Sequence, residues 1–468
     1  MTTEALERSA MRKIYLRLLP FAVVTYLLCY IDRINVSFAA LTMRGDLGMS
    51  AQAFGFAAGT FYWGYFIAEV PSNIVLEKVG ARLWIARIMI TWGLLSAATA
   101  YVSELSAWLN SISLLAPVAH HIDPTSTFAV VRFLLGLAEA GFFPGLILYF
   151  TYWFPSYHHG RIVSGFLTGL PIAVAAGAPV STALLGLDGW FGLRGWQVMY
   201  LAEAIPTVLL GFFTLAYMTD KPEHARWLTN EERSWLNSRL RSEREAKEAA
   251  RRFGFWEALF NPTVLLLSLN YFGIVVASLG VLLFVPQIIK SLGNLSNFQV
   301  GLVTMIPYIM GGIAMLVWGR ISDRMQERRW NLFWSCSLAT AGLVMTGLTI
   351  GNWWAVVGVS LATMGFYGSK GPFWAMPPMF LTGTAAAGTI AWINSIGNLG
   401  GFFGPWWVGF MKDTTGSFAG GLYGLALLCF IAAAVCALFL HIPDRMAEQG
   451  KKAGGRELAA SPPLATRA

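Results

Sequence analysis

Apolar stretches of about 20 residues, the length that crosses a hydrocarbon core about 30 Å thick, recur along nearly all of this 468-residue chain. Backbone inside that core must satisfy its own hydrogen bonds, so only helices and closed barrels can span it. Barrel strands alternate apolar and polar residues and these runs do not, so the chain reads as an all-α integral membrane protein. Only 12% of its residues are charged, against about 25% in soluble domains, which leaves little polar surface for anything else.

The expected spans are Tyr15 to Leu41, Phe54 to Leu76, Leu83 to Val102, Phe128 to Phe154, Ile162 to Leu185 and Gln197 to Met218, then Pro262 to Ile289, Gln299 to Ile321, Leu332 to Ile350, Trp353 to Phe380, Gly388 to Met411 and Phe418 to Leu440. Twelve spans around one polar segment predict a six-helix half over 1–218, a linker over 219–258, a second six-helix half over 259–440 and a tail over 441–468. The polar N-terminus feeds its span without a small-residue cleavage site, so it is expected to be retained. Lys and Arg cluster on one side: only Arg44, Arg194, Lys290 and Lys412 fall on the other. Positively charged loops stay cytoplasmic, which predicts both termini inside a bacterial inner membrane. The same topology accounts for the net charge of +8 without nucleic acid as a partner.

In the linker, Thr229 followed three residues later by Glu232 has the form of a capping box, with Trp235, Leu236 and Leu240 as an apolar stripe expected against the membrane surface. The four cysteines lie in apolar stretches without metal-ligand spacing and read as small packing residues. No cofactor or metal is called for.

An acid and base recur after the second and eighth spans, Glu77 with Lys78 in "NIVLEKVGAR" and Asp323 with Arg324 in "GRISDRMQERR". The repeated position predicts gating loops in two related halves. This arrangement resembles the major facilitator superfamily, whose loop motif is G-x-x-x-D-R-x-G-R-R; the first copy departs at Asn73 and Glu77, and the second has an extra residue before Arg328. "YIDRINVSFAA" from Tyr30, "RFLLGLAEAGFFPG" from Arg132, "FVPQIIKSLG" from Phe284, "GPFWAMPPMFLTGTAAAG" from Gly371 and "INSIGNLGGFFGP" from Ile393 resemble its anion:cation symporter branch, which includes tartrate, phthalate, hydroxyphenylacetate, glucarate and galactonate permeases. The resemblance covers almost the whole chain and implies a secondary transporter working by alternating access. The outer segment Ser103 to Thr127, with His120 and His121, is longer than that family's usual loop and reads as a solvated loop.

Charges well inside the spans crowd the first half: Asp32, Arg33, Glu69, Arg87, Arg132, Glu139 and Glu203, with Lys370 the one that lies well inside a span of the second. Each costs at least about 2.5 kcal/mol at the bilayer centre, so it needs a partner or a wet cavity. Arg132 and Glu139 are seven apart and share a helix face. Asp32 and Arg33 are neighbours and point about 100° apart, so each needs a partner elsewhere. Packing of the first and fourth spans would pair Arg132 with Asp32 and Glu139 with Arg33. A carboxylate that loses its arginine to a substrate anion becomes easier to protonate, which predicts Asp32 and Glu139 as proton-coupling acids and Arg33 and Arg132 as anion anchors; the resemblance implies the same roles.

Glu69, before Pro71, reads equally as support for a broken backbone or as a cavity residue. Arg87 and Glu203 read as residues near span ends. Across the cavity, "GSKGPFWAMPP" is expected to break the tenth span and to present Lys370 as a second anion anchor beside Trp374. Asn394 and Asn398 share a face of the eleventh span, and Tyr30, Tyr65 and Asn270 are further polar candidates for substrate contact. No HExxH, GxSxG or paired acid motif of an intramembrane enzyme is present. The expected function is proton-coupled uptake of a small organic anion, a dicarboxylate such as tartrate or phthalate ahead of a monocarboxylate, a sugar acid, a sugar or a drug, by a monomer in the bilayer.

Overall fold

A computed structural model describes residues 3–112, 122–167, 169–248, 261–325, 327–377 and 384–440. It is 87% helical and has no strand among the described residues. The helices are α1 (Thr3–Asp46), α2 (Ala51–Val79), α3 (Ala81–Thr99), α4 (Val102–Ser111), α5 (Pro124–Glu139), α6 (Phe142–Thr151), α7 (Ser156–Leu167), α8 (Gly169–Leu185), α9 (Gly195–Tyr217), α10 (Asn230–Glu248), α11 (Pro262–Lys290), α12 (Asn297–Met325), α13 (Arg329–Leu348), α14 (Trp354–Ala375), α15 (Thr384–Thr415) and α16 (Ala419–Phe439).

Among the described residues eight spans are long and apolar enough to cross a membrane, nine with the pair α3–α4, which bends by 85°. The helices that fall short are α2, α14 and α15. Their low apolarity has a physical cause: they are glycine-rich and face other helices, where close approach replaces contact with lipid. A Cβ on Gly55 or Gly409 would lie 2.4 Å from the Pro405 carbonyl oxygen and 2.3 Å from that of Ala51, which locks α2 against α15. Around this seam α3 packs on α9 and α2 on α5, while in the second half α13 packs on α14 and α16. The pairs α2–α15, α8–α12 and α1–α11 join the halves.

Four local expectations change. The polar N-terminus is helical and continuous with the first span, so α1 is 44 residues long. The fourth span breaks between α5 and α6 at Gly141, whose φ of +88° suits glycine alone, and a Cβ there would meet Ser72 Oγ at 2.2 Å. The tenth span does not break at Gly371 and Pro372; α14 runs through Lys370 to Ala375, and residues 378–383 lie outside the described ones. The long outer segment begins with α4, while His120, His121 and the tail from 441 lie outside the described residues.

The linker helix forms its capping box: the Thr229 amide donates to Glu232 Oε2 at 2.9 Å and the Glu232 amide to Thr229 Oγ1 at 3.2 Å. Its stripe packs on protein, not on the membrane surface, with Leu236 fully buried and Trp235 and Leu240 against the same core. Glu232 reaches α1, accepting from Ser9 Oγ at 2.7 Å and Lys13 Nζ at 2.9 Å. Burial pushes its carboxyl up, but the bonds from Lys13, Ser9 and the Thr229 amide outweigh burial and hold it at about 2, below the ordinary 4.5.

A depressed acid stabilises its contact above the ordinary value and loses that contribution as pH falls through the shifted one. Docking of α10 on α1 should therefore hold above about pH 4.5 and weaken toward pH 2. Glu232→Gln should weaken it at neutral pH by about 1 kcal/mol, roughly fivefold in the open fraction. Limited proteolysis of 230–248, with pepsin on the acid side, measures both; equal cleavage of wild type and variant at neutral pH would show that the contact does not hold the linker.

Candidate functional site

Asp32 and Arg33, consecutive on α1, leave the helix in different directions and meet different neighbours. Arg33 turns to α5 and forms an ion pair with Glu139, the last residue before the α5–α6 break. Cys29 Sγ, one turn earlier on α1, lies 3.2 Å from the same carboxylate oxygen. The Arg33 guanidinium carbon sits 5.2 Å from the Tyr30 ring, 5.4 Å from Phe61 and 5.3 Å from Tyr65, a cage that favours a cation. Glu139 is 1% exposed and Arg33 18%, and Arg33 Nε is left without a hydrogen-bond partner. The arginine is thus held in place with capacity to spare.

Arg132 and Asp32 do not meet as the spacing argument expected. Asp32 faces α3 and α9, accepting from Trp92 Nε1 at 2.7 Å, Ser96 Oγ at 3.1 Å and Thr207 Oγ1 at 3.0 Å. Neutral donors satisfy it, so it needs no arginine. Arg132, 2% exposed, also lies beside Phe61 with its guanidinium carbon 5.0 Å from the ring, and its Nε and Nη1 have no hydrogen-bond partner. Phe61 therefore lies beside both guanidiniums, and Arg132 is a buried cation with unused donors.

Glu203, read as lying near a span end, is 6% exposed and accepts from Ser181 Oγ at 2.6 Å and Asn35 Nδ2 at 2.9 Å. Arg87 is half-buried over Trp84, 3.9 Å from ring to guanidinium carbon, and donates weakly to the Ala138 carbonyl at 3.5 Å. It belongs to the α3–α5 contact. Glu69 joins the halves: Asn394 Nδ2 and Ser395 Oγ of α15 each donate to its carboxylate at 2.9 Å.

On the opposite wall Lys370 is half-buried, its ammonium 4.7 Å from the Tyr367 ring and close enough to Arg33 to feel that charge. Trp374 stands edge-on to Tyr271 at 5.0 Å, and Tyr271 stacks on Phe373 at 4.9 Å. Asn398, half-buried, follows one turn after Asn394. Asn270 departs from expectation: it is 1% exposed and its amide donates to the Ala432 carbonyl of α16 at 3.0 Å, which places it between helices of the second half.

The seal lies at the end away from the N-terminus. Asp413 of α15 accepts from the Ala51 and Gln52 amides at the start of α2, at 3.0 and 2.7 Å, and Arg44 donates to Gln287 at 2.5 Å. Ile34, Ser37 and Phe38 close on Leu282 and Pro286 in a gap too small for water. The opposite, N-terminal face carries the two repeated loops. At that face Glu77, Lys78 and Arg324 are exposed and Asp323 pairs with Arg328 at 2.7 Å. Two acids that the sequence did not single out cap the helices after the repeated loops: Asp220 accepts from the Arg82 amide at 2.7 Å, and Glu327 from the Trp330 and Asn331 amides at 2.8 and 3.0 Å.

The sequence missed Ser395, Asn35, Ser181, Trp92, Ser96 and Thr207. Some signal was present: Asn35 lies one turn after Asp32, and Trp92 and Ser96 are four apart on one face of α3. Nothing local marked Ser181 or Ser395.

The chain is similar to known proteins along most of its length. A protein of Agrobacterium vitis named as a candidate tartrate transporter is 45% identical, over 92% of this chain and 94% of its own. A quinolone resistance transporter of Acinetobacter baumannii is 37% identical, over 90% and 93%. The solved xylose transporter of Escherichia coli, in a partially occluded inward-open conformation, shares the fold with a TM-score of 0.70 at 15% identity, over 91% of this chain and 99% of that one. Residues 22–405 match the family model of the Major Facilitator Superfamily. This chain, a multi-pass secondary transporter of small metabolites, belongs to the Major Facilitator Superfamily.

Proposed function

We propose that the chain takes up a small organic dianion together with protons, by alternating access, across a bacterial inner membrane. The observation that carries this reading is the Arg33–Glu139 pair: partly exposed, caged by rings, and faced from the other half by Lys370. A substrate carboxylate that binds Arg33 competes with Glu139, and a buried carboxylate stripped of its arginine favours the protonated form. Substrate and proton then enter together. Arg132, with donors to spare, serves as the second anchor of the first half.

The basic N-terminal face is the cytoplasmic one, so this conformation opens inward and both termini are cytoplasmic. Lys370 and Asn398 present a cation and an amide from the second half, with Trp374 and Tyr30 as flanking rings. Asn394 joins them when Glu69 releases it. Two cations on facing walls suit two separated carboxylates, and a ligand that bridges the walls favours their closure. The relative named for tartrate supports the dianion. The competing reading is an aromatic drug, which the rings at Tyr30, Tyr271 and Trp374 and the quinolone resistance relative favour; competition of tartrate and phthalate against a fluoroquinolone for uptake decides between them.

In proteoliposomes an inward proton gradient should drive accumulation of a dicarboxylate. Glu139→Gln and Asp32→Asn should abolish that drive while counterflow persists; unchanged accumulation in both would refute the coupling assignment. Arg33→Ala and Arg132→Ala, checked for monodispersity, should each lower transport at least tenfold, about 1.4 kcal/mol, whereas Arg87→Ala should stay within about threefold. Normal transport by folded Arg132→Ala would remove it as an anchor. Lys370→Met should depress dicarboxylate uptake more than monocarboxylate uptake, and equal loss of both would end its role as the second anchor.

A further inference from the structure

The buried acids of the first half outnumber its buried cations. Asp32 on α1, Glu69 on α2, Glu139 on α5 and Glu203 on α9 are each at least nine-tenths buried, and the cations among them are Arg33 and Arg132. Arg87 is half-buried at the α3–α5 contact, and its contacts there are the Ala138 carbonyl and the Trp84 ring. Four carboxylates against these two guanidiniums and Lys370 on the facing wall leave one charge that a membrane interior does not compensate, so one acid carries a proton.

The donor inventory shows which. Glu139 has the Arg33 guanidinium. Asp32 has four donors: Trp92 Nε1 and Thr207 Oγ1 on one oxygen, Ser96 Oγ and, at 3.5 Å, Asn35 Nδ2 on the other. An indole N–H and an amide NH2 donate only, so these sites fit an ionised carboxylate. Glu203 has two: Asn35 Nδ2 at 2.9 Å and Ser181 Oγ at 2.6 Å. The hydroxyl can reverse and accept, so these surroundings suit a carboxylic acid; Glu69 has a similar pair in Asn394 and Ser395 but lies close enough to Arg33 to feel that charge, whereas the charged group beside Glu203 is another acid, Asp32. The other groups near Glu203 are the buried Tyr200 hydroxyl, which has no hydrogen-bond partner, and Arg132 beyond Tyr200. No basic side chain bonds to Glu203 among the described residues.

We infer that Glu203 is a positioning residue that holds a resident proton, neutral beside an ionised Asp32, with Asn35 bonded to both. The inference rests on the proton-coupled reading for its consequence: the pair cycles between one proton and two, and the proton it contributes to transport is the second, taken up and released at Asp32 and distinct from the one that Glu139 takes as substrate binds. Atoms and charge balance, since the pair moves between −1 and 0 and never holds two negative charges in the hydrocarbon region.

Infrared difference spectra of purified full-length protein at neutral pH test the resident proton without transport. Wild type minus Glu203→Gln should show loss of one protonated-carboxyl carbonyl band, which Asp32→Asn keeps and Ser181→Ala shifts in frequency. If no band is lost in Glu203→Gln, or none moves in Ser181→Ala should Glu203→Gln not fold, the inference falls while the transport reading stands. In proteoliposomes Glu203→Gln, which keeps a neutral group there, should retain gradient-driven accumulation within about twofold. Abolished accumulation with intact counterflow would make Glu203 the carrier of the transported proton and overturn its resident role. A wild type that ignores the gradient but shows the band would instead remove the coupling reading and leave the resident proton in place.

Discussion

A charge in the hydrocarbon region must be compensated, and the first half of this transporter is organised around that requirement. Moving a carboxylate or guanidinium out of water costs several kcal/mol even after the protein relaxes. The structure meets the cost in three ways: an ion pair for Glu139, a shell of neutral donors for Asp32, and ring faces beside Arg132. Each leaves a different capacity for exchange. The ion pair is the one a substrate anion can enter, because a carboxylate offers Arg33 what Glu139 offers it.

The packing between the halves gives that exchange mechanical consequences. Glycine contacts along α2 and α15 bring backbones close, Phe402 of α15 packs against Phe56 and Trp63 of α2, and polar ties fasten the seam. Among the described residues those ties are few: Asp413 on the start of α2, Arg44 on Gln287, and Glu69 on Asn394 and Ser395. The first two close the end away from the N-terminus, and the last lies deeper, beside the proposed site. A ligand that draws Asn394 away from Glu69 would loosen the deepest tie as it binds, which links occupancy to the equilibrium between conformations.

Much of this was legible in the sequence because the membrane restricts the choices. Span length, charge placement and the repeated loop lead to the helical fold, and the one-turn logic of adjacent charges leads to Arg33 with Glu139. The partner of Asp32 was not legible. Tryptophan, serine and threonine inside a span look like packing residues, and only the approach of α3 and α9 turns them into donors. Asn270 failed for the opposite reason, since an amide at mid-span satisfies a carbonyl of α16 as readily as it would a substrate. The tenth span misled because Gly and Pro near Lys370 read as a break, yet Pro372 is accommodated within α14. In the fourth span the break falls at Gly141, where the helical pattern of the sequence runs on uninterrupted.

The central claim is that a substrate carboxylate displaces Glu139 from Arg33 and that the freed acid takes a proton. Calorimetric titration of the detergent-purified protein with tartrate, repeated near neutral pH in buffers of different ionisation enthalpy, counts the protons exchanged on binding. The account predicts uptake of about one proton per bound dianion by wild type and none by Glu139→Gln. Binding whose heat is the same in every buffer, or that releases protons, would contradict it.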